Sequence, residues 1–378
     1  MMPTAQIPTQ IGEFWTSKQR AGHSLHEISY RACYKPQLPA FFIERFCEPA
    51  DVVYDPFMGR GTTLIEAQLQ GCRAYGNDIN PLSQILTKPR LAPPPLAQIK
   101  QRLQEVNLST NETVDPDLLV FFARDTLQEL YGWRQYFRQK QEGNEFDKTD
   151  AWLQMVACNR LTGHSKGFFS VYTLPPNQAT SVQAQRKINQ KRGQTPEYRD
   201  TKQLIFKKSK QLLRHDIPYH FWRDDARLFT ESADRTTQIH SDSVNLVVTS
   251  PPFLDTVNYI QDNWLRMWFC DIEMDTGKLW QLKRLEDWIL QMKKVFIELR
   301  RILNPTGRIA FEVGEVRSGS VLLEEAVVEA ASEAGLIAEG ILINTQQFTK
   351  TANCWGVSNN NKGTNSNRIV VLKKDRSI

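Results

Sequence analysis

This sequence predicts a doubly wound α/β fold whose mostly parallel sheet is interrupted by a long, mainly helical, basic insertion. Three observations carry that prediction. Short apolar runs alternate with helical periodicity in both terminal parts of the chain, a glycine turn follows the first such run, and residues 97–222 lack regular strand alternation. A chain of 378 residues can hold one large domain with an insertion, or two ordinary domains. Its 40% hydrophobic share is enough for a full core and excludes a disordered protein. No apolar run approaches the roughly 18 residues of a membrane span. The opening residues Met1 to Pro8 have neither a basic nor an apolar leader segment, so a cytoplasmic location is expected.

The elements follow in order. Val52-Val53-Tyr54 reads as a buried strand running into Asp55-Pro56-Phe57, then a glycine turn and a helix from about Thr63 to Gln70 that stops at Gly71. Ala74-Tyr75-Gly76 is a second strand, leading to Asn77-Asp78. Pro93-Pro94-Pro95 marks the exit from this half. Strands resume at Ala226 to Phe229, and Val244 to Val248 is apolar enough to be a central strand buried on both faces. Apolar positions 288, 289, 292, 295, 296, 299, 302 and 303 trace one helix face. A strand over Arg308–Val313, a helix from about Val321 to Ala334 and strands over Leu336–Ile343 and Arg368–Lys373 complete the pattern. The Asn-, Thr- and Gly-rich stretch 345–367 is long for a connection.

Charge is uneven. The chain carries a net +5, yet residues 151–220 alone hold twelve Lys/Arg against three acids. Such a segment suits a polyanion, because neutralised phosphates release counterions; a solvated Lys-rich helical face is the other reading of the same charges. The six cysteines are scattered with no Cys-x-x-Cys, which fits a reducing compartment without a zinc site or disulfide framework. His23 and His26 stand at H-x-x-H spacing without acidic or cysteine companions, so no metal is expected.

The stretch Asp55-Pro56-Phe57-Met58-Gly59-Arg60-Gly61-Thr62-Thr63 carries the most chemistry. A strand ends at an acid, the chain turns on two glycines, and a helix opens at hydroxyls able to cap it. No Lys-Ser/Thr follows the glycines, and Leu64 occupies the third glycine position of a dinucleotide loop. An acid at the strand end repels pyrophosphate but suits a cationic amino group. Asp78, 23 residues on, is placed for ribose hydroxyls. The ligand so described, a nucleoside with a cationic amino-acid tail, is S-adenosylmethionine.

D-P-F-x-G-x-G-T-T resembles the cofactor motif of DNA methyltransferases that modify exocyclic amino groups, the N4-cytosine and N6-adenine enzymes. Tyr34-Lys35-Pro36-Gln37-Leu38-Pro39 resembles the family's K-P-x-x-L helix start beside the methionine part of the cofactor. Asp225-Ala226-Arg227 is similar to a G-D-A-R-like turn whose acid holds the adenine amino group, although Asp224 replaces the glycine. Thr249-Ser250-Pro251-Pro252-Phe253 resembles the catalytic (D/N/S)-P-P-(Y/F/W) element, with Ser in first place as in the N4-cytosine branch. Two prolines fix the backbone so that carbonyls and a hydroxyl can grip an amino group, and Phe253 offers a face for an extruded base. Carbon-5 methylation is excluded because no cysteine follows a proline.

The resemblance implies a class I methyltransferase fold with an antiparallel last strand. Residues 1–96 and 223–378 would form the catalytic domain, with 97–222 as the target-recognition region. The expected activity is methyl transfer to N4 of a flipped cytosine in duplex DNA. Lys35, Pro36, Asp55, Phe57, Gly59, Gly61, Thr62, Asp78, Ile79, Asp225 and Ala226 would hold the cofactor, and Ser250, Pro251, Pro252 and Phe253 would perform the transfer. An N6-adenine enzyme, an RNA amino-methyltransferase and a non-catalytic DNA-binding protein are the alternatives. The order of motifs differs from the commonest N4-cytosine arrangement. Base readers would come from the insertion, with Asn177, Gln178, Gln183, Asn189 and Gln190 as amide candidates. Its aromatics at 168, 169, 172, 219, 221 and 222 are expected to form its core. The sequence shows no nuclease site, so any cleaving partner would be a separate protein.

Overall fold

The computed structural model describes residues 7–15, 22–31, 33–173, 179–218, 225–252, 259–273, 280, 282, 284–314, 322–345 and 366–376. Strand β1 (Thr9–Gly12) precedes helix α1 (Gln37–Phe46), strand β2 (Val52–Asp55), α2 (Thr62–Leu69), β3 (Arg73–Asn77) and α3 (Pro81–Leu91). Helices α4 (Leu96–Glu105), α5 (Arg124–Glu142), α6 (Lys148–Arg160), α7 (Val182–Arg192) and α8 (Thr201–Leu212) follow. The chain then returns to the sheet with β4 (Arg227–Phe229), β5 (Val244–Thr249), α9 (Tyr259–Phe269), α10 (Leu285–Ile302), β6 (Leu303–Val313), α11 (Leu323–Glu333), β7 (Leu336–Thr345) and β8 (Ser366–Lys374). Phe253 falls outside the described residues, as do Asp224, Asn177, Gln178, the aromatics at 219, 221 and 222, and most of the 345–367 connection.

The strands form one sheet of order β1-β7-β8-β6-β5-β2-β3-β4. All neighbouring pairs are parallel except those made by β8, which lies antiparallel between β6 and β7. From β2 the chain steps outward through β3 to β4, then restarts at β5 on the other side of β2. Strand order therefore reverses between β2 and β5, and a crevice opens at their carboxyl ends. Along β5, Val244, Leu246, Val247, Val248 and Thr249 are buried, as a strand covered on both faces requires. On α10 the side chains of Trp288, Met292, Val295, Phe296, Leu299 and Ile302 point into the core, the face its apolar spacing predicts.

Helices α4 to α8 fall between β3 and β4. They do not build a core of their own. Trp133, Phe137 and Trp152 join the cluster that contains Leu38 of α1, Leu64 of α2 and Leu86 of α3, on one face of the sheet. Phe168 and Phe169 are buried as well, consistent with a packing role. Trp152 is fully buried, and its indole N–H donates to Ser209 Oγ at 2.9 Å, tying α6 to α8. Truncating it is expected to cost roughly 3–5 kcal/mol. Because the core is continuous, Trp152→Ala should unfold insertion and sheet in a single, lowered denaturant transition monitored by circular dichroism and tryptophan fluorescence; two separated transitions would show independent units.

Candidate functional site

The carboxyl ends of β2 and β5 meet through side chains. Asp55, ending β2, is 1% exposed. Its Oδ1 accepts from Thr249 Oγ1 at 2.6 Å, across the strand-order reversal, and from the Phe57 backbone N–H at 3.0 Å. Its Oδ2 accepts from the Tyr34 hydroxyl at 2.7 Å. Thr63 of α2 donates to the Val248 carbonyl of β5 at 3.1 Å and contacts the Tyr34 hydroxyl. The upstream segment, the glycine turn and the strand leading to Ser250-Pro251-Pro252 are thus joined around one carboxylate. Burial pushes the Asp55 carboxyl up to about 6; bonds from Thr249, Tyr34 and Phe57 oppose the rise and the nearby Asp78 charge adds to it.

Both glycines of the turn between them have positive φ. Gly61 has φ +74°, and a Cβ placed there would lie 2.3 Å from Thr87 Cγ2, so only glycine fits. Gly59 donates its N–H to Asp78 Oδ2 at 2.9 Å, while Asp78 Oδ1 accepts from Asn80 N at 2.9 Å. Asp78 is half-buried just after β3, with Ile79 partly exposed beside it, and burial raises its carboxyl above the usual range. The hydroxyls do not cap α2. Gly61 is its N-cap, without a side-chain bond, because Thr62 and Thr63 already lie inside the first turn. Thr62 instead accepts from Arg60 Nε at 3.3 Å. The uncapped N–H groups of that turn face the same edge as both acids. Lys35 and Pro36 lead directly into α1, whose N-cap is Pro36. Phe57 packs edge-on to Trp280 with ring centroids 5.9 Å apart.

Two arginines brace the turn from behind. Arg60 donates to the carbonyls of His26 at 3.3 Å and Ile28 at 2.7 Å. Arg90, fully buried in α3, donates to Leu86 O, to Leu25 O at 2.9 Å and to Arg60 O. Burial, with help from the Arg60 charge, pulls its guanidinium down to about 9. His23 and His26 are engaged in hydrogen bonds, the latter with Glu66 Oε1 at 2.6 Å. Among the described residues no cluster of metal-ligating side chains is present.

The catalytic segment differs from expectation in one respect. The Pro252 carbonyl is already engaged, accepting from the Trp288 indole N–H at 3.1 Å. Ser250 is held by its side chain to Glu312 of β6, which also accepts from Asn367 Nδ2 at 2.7 Å. Glu312 is 5% exposed, and burial raises its carboxyl above the usual range. Sequence reading passed over this residue, although a lone acid in the apolar run Ile309–Val313 was the signal.

Asp225 and Ala226 are not brought to the site. Strand β4 runs parallel to β3 and starts two residues after Asp225, which places Asp225 at the amino edge of the sheet, 3.6 Å from Arg73 Nε. The carboxyl end of β4 instead presents Thr230, bonded to Gln84 Nε2 at 2.7 Å, close to Asp78, whose N–H donates to Phe229 O at 3.3 Å.

A sheet of this order, one antiparallel strand next to its edge pair, and a glycine turn at the strand-order reversal together define a class I methyltransferase fold. Residues 4–85 match the N6/N4 DNA methylase family model. The type II methyltransferase M.MvaI of Kocuria varians is 34% identical over 105 residues, which are 27% of this chain and 23% of that one. M.MjaII of Methanocaldococcus jannaschii is 32% identical over 98 residues, 26% of this chain and 18% of its own. The matched stretches thus span less than a quarter of these curated relatives. A TehB-like SAM-dependent methyltransferase of Corynebacterium glutamicum aligns over 89% of this chain and 86% of its own at 9% identity, with a TM-score of 0.32.

The residues at this crevice fit S-adenosylmethionine, with a two-glycine turn after a strand end and two acids, Asp55 and Asp78, beside it. Arg90→Met is expected to leave the Leu25 and Arg60 carbonyls unpaired, costing roughly 1–3 kcal/mol each. Thermal denaturation should register the loss, and cofactor titration calorimetry should show weaker binding as the turn loosens. An unchanged melting temperature would show that the brace contributes nothing.

Proposed function

We propose that this chain is an S-adenosylmethionine-dependent DNA methyltransferase that modifies the exocyclic N4 nitrogen of a flipped cytosine. The observation that carries the reading is the Thr249–Asp55 hydrogen bond, 2.6 Å long, which sets the Ser-Pro-Pro segment beside the glycine turn. A cofactor held at one would present its methyl group toward a base held at the other. Ser in first place of the catalytic element favours cytosine over adenine. The family match favours DNA as the substrate.

In this reading the bound cofactor supplies an electrophilic methyl group on a sulfonium. Asp55 holds the cationic amino end, the uncapped N–H groups of the first turn of α2 suit the carboxylate of the same amino-acid tail, and Asp78 takes the ribose. Lys35, Pro36, Phe57, Gly59, Gly61 and Thr62 line the methionine end, with Ile79 packing against the adenine. The adenine edge falls to Thr230 rather than Asp225. The Ser250 hydroxyl and neighbouring backbone carbonyls accept from the two N–H groups of the target amine, aiming its lone pair. Trp288 fixes the Pro252 carbonyl and so sets the angle of that cradle. The Ser250 hydroxyl would take the proton that the target amine gives up and relay its own to Glu312, to which it is hydrogen-bonded. The buried Glu312 carboxylate, with its raised affinity for a proton, suits that task.

The test is nucleoside mass spectrometry of duplex DNA after incubation with protein and cofactor. N4-methylcytosine is expected, whereas N6-methyladenine would overturn the choice of base. Methylation of RNA but not duplex DNA would overturn the substrate class. Ser250→Ala should bind cofactor normally in calorimetry and lose turnover; retained turnover would remove Ser250 from the reaction.

The Asp55 shift gives a pH signature. The folded, cofactor-free protein keeps this proton up to about pH 6. An unfolded Asp releases it near 3.9. Stability of the cofactor-free protein should therefore fall as pH rises through that window. Cofactor affinity should move the other way, weakening up to about tenfold per pH unit below the Asp55 pKa as the carboxylate protonates. Asp55→Asn should bind more weakly and flatten this profile; an unaltered profile would show that Asp55 does not face the cationic group.

A further inference from the structure

Helix α7 sits in the insertion with two very different faces. Its inward amides are consumed. Gln185 Nε2 donates to the Tyr172 carbonyl at 3.0 Å and to Asn189 Oδ1 at 2.7 Å, and Asn189 Nδ2 donates to Val120 O at 2.7 Å. Asn189 is therefore not available as a base reader. The outward face carries Gln183, Arg186, Lys187, Gln190 and Lys191, all exposed. At about 100° per residue these five share an arc of about 140°. Over its eleven residues the helix has four cations and no acid. Arg186 pairs with Asp117 at the rim of that face.

The helix is also stitched to the catalytic half. Just before its Ser181 N-cap, Ala179 N donates to Asp262 O at 2.9 Å, and the Trp264 indole donates to Thr180 O at 3.2 Å. Both partners belong to α9, the first helix after Ser250-Pro251-Pro252. A ligand lying along the outer face of α7 would therefore be positioned relative to the catalytic segment.

The geometry points to α7 as the element that enters the major groove of duplex DNA, with Gln183 and Gln190 reading base edges and Lys187 and Lys191 contacting phosphates. This rests on the DNA-methyltransferase reading. Amide side chains pair bidentately with adenine edges, and lysines at their flanks neutralise the backbone. Gln183 and Gln190 stand two turns apart, about 10 Å along the axis, or about three base-pair steps. The twelve cations of residues 151–220 are not one uniform patch. Arg160 and Lys208 are buried, Arg214 is paired with Glu27, and Arg192 lies 3.8 Å over the Tyr172 ring. The outward side of α7 combines cations with hydrogen-bonding amides, and the helix is stitched to α9.

The test uses the full chain, a randomised duplex DNA pool and labelled cofactor. Sequencing the bound and methylated fractions gives the preferred motif, and titrations at several salt concentrations give the slope of log affinity against log salt. Gln183→Ala and Gln190→Ala should each relax preference at a separate position by roughly tenfold or more while leaving cofactor affinity intact. Lys187→Ala and Lys191→Ala should weaken binding uniformly across sequences and each reduce the salt slope by about 0.9. Methylation with an unchanged motif and slope in all four variants would overturn the assignment of α7 while leaving the enzymatic reading intact. Motif and slope changes in binding, with no methyl transfer by the parent protein, would sink the enzymatic reading and keep α7. Shifts seen only with single-stranded RNA would overturn the duplex-DNA partner.

Discussion

A single buried carboxylate organises the crevice. Asp55 lies where two halves of a doubly wound sheet diverge, a point at which strand order alone provides no cross-link between the loops above. Thr249, Tyr34 and the Phe57 amide converge on it from β5, the segment before α1 and the turn itself. Stripped of these partners, a charge at that depth would be costly. With them, three stretches of chain distant in sequence hold one geometry. The proton affinity of Asp55 reflects the balance: burial raises it, and the three donors keep the rise moderate.

Much of this architecture was legible in the sequence. The apolar run ending in Asp55, the glycines after it and the uninterrupted hydrophobicity of β5 are local signals, and they fix where strands end and a crevice opens. The α10 stripe was equally plain, since 3.6-residue periodicity survives whatever the helix packs against. What could not be read was long-range. The capping expectation for Thr62 and Thr63 failed because the residue preceding them, Gly61, already turned the chain. Asp225-Ala226-Arg227 resembles a motif turn, but the start of β4 two residues after Asp225 sends that acid to the other edge of the sheet. Glu312 went unnoticed because its partners, Ser250 and Asn367, lie 62 and 55 residues away, and pairing with β8 is visible only in three dimensions.

The brace behind the glycine turn makes a related point. Arg60 stands at an unspecified position between two motif glycines, and no pattern in the sequence marks Arg90. Their backbone-carbonyl partners leave no trace in side-chain patterns. Burial of the Arg90 guanidinium, with the Arg60 charge beside it, is why its proton is held less tightly than usual.

The continuous core has a consequence for how such a protein can acquire new sequence preferences. Since Trp133, Phe137 and Trp152 share their packing with α1, α2 and α3, the middle third cannot be exchanged wholesale like a cassette. Grafting a relative's segment would open voids against the helices that flank the glycine turn. Diversification is then confined to the outermost layer, one solvent-facing residue at a time, and chimaeras between relatives should fail by misfolding before they fail by misreading.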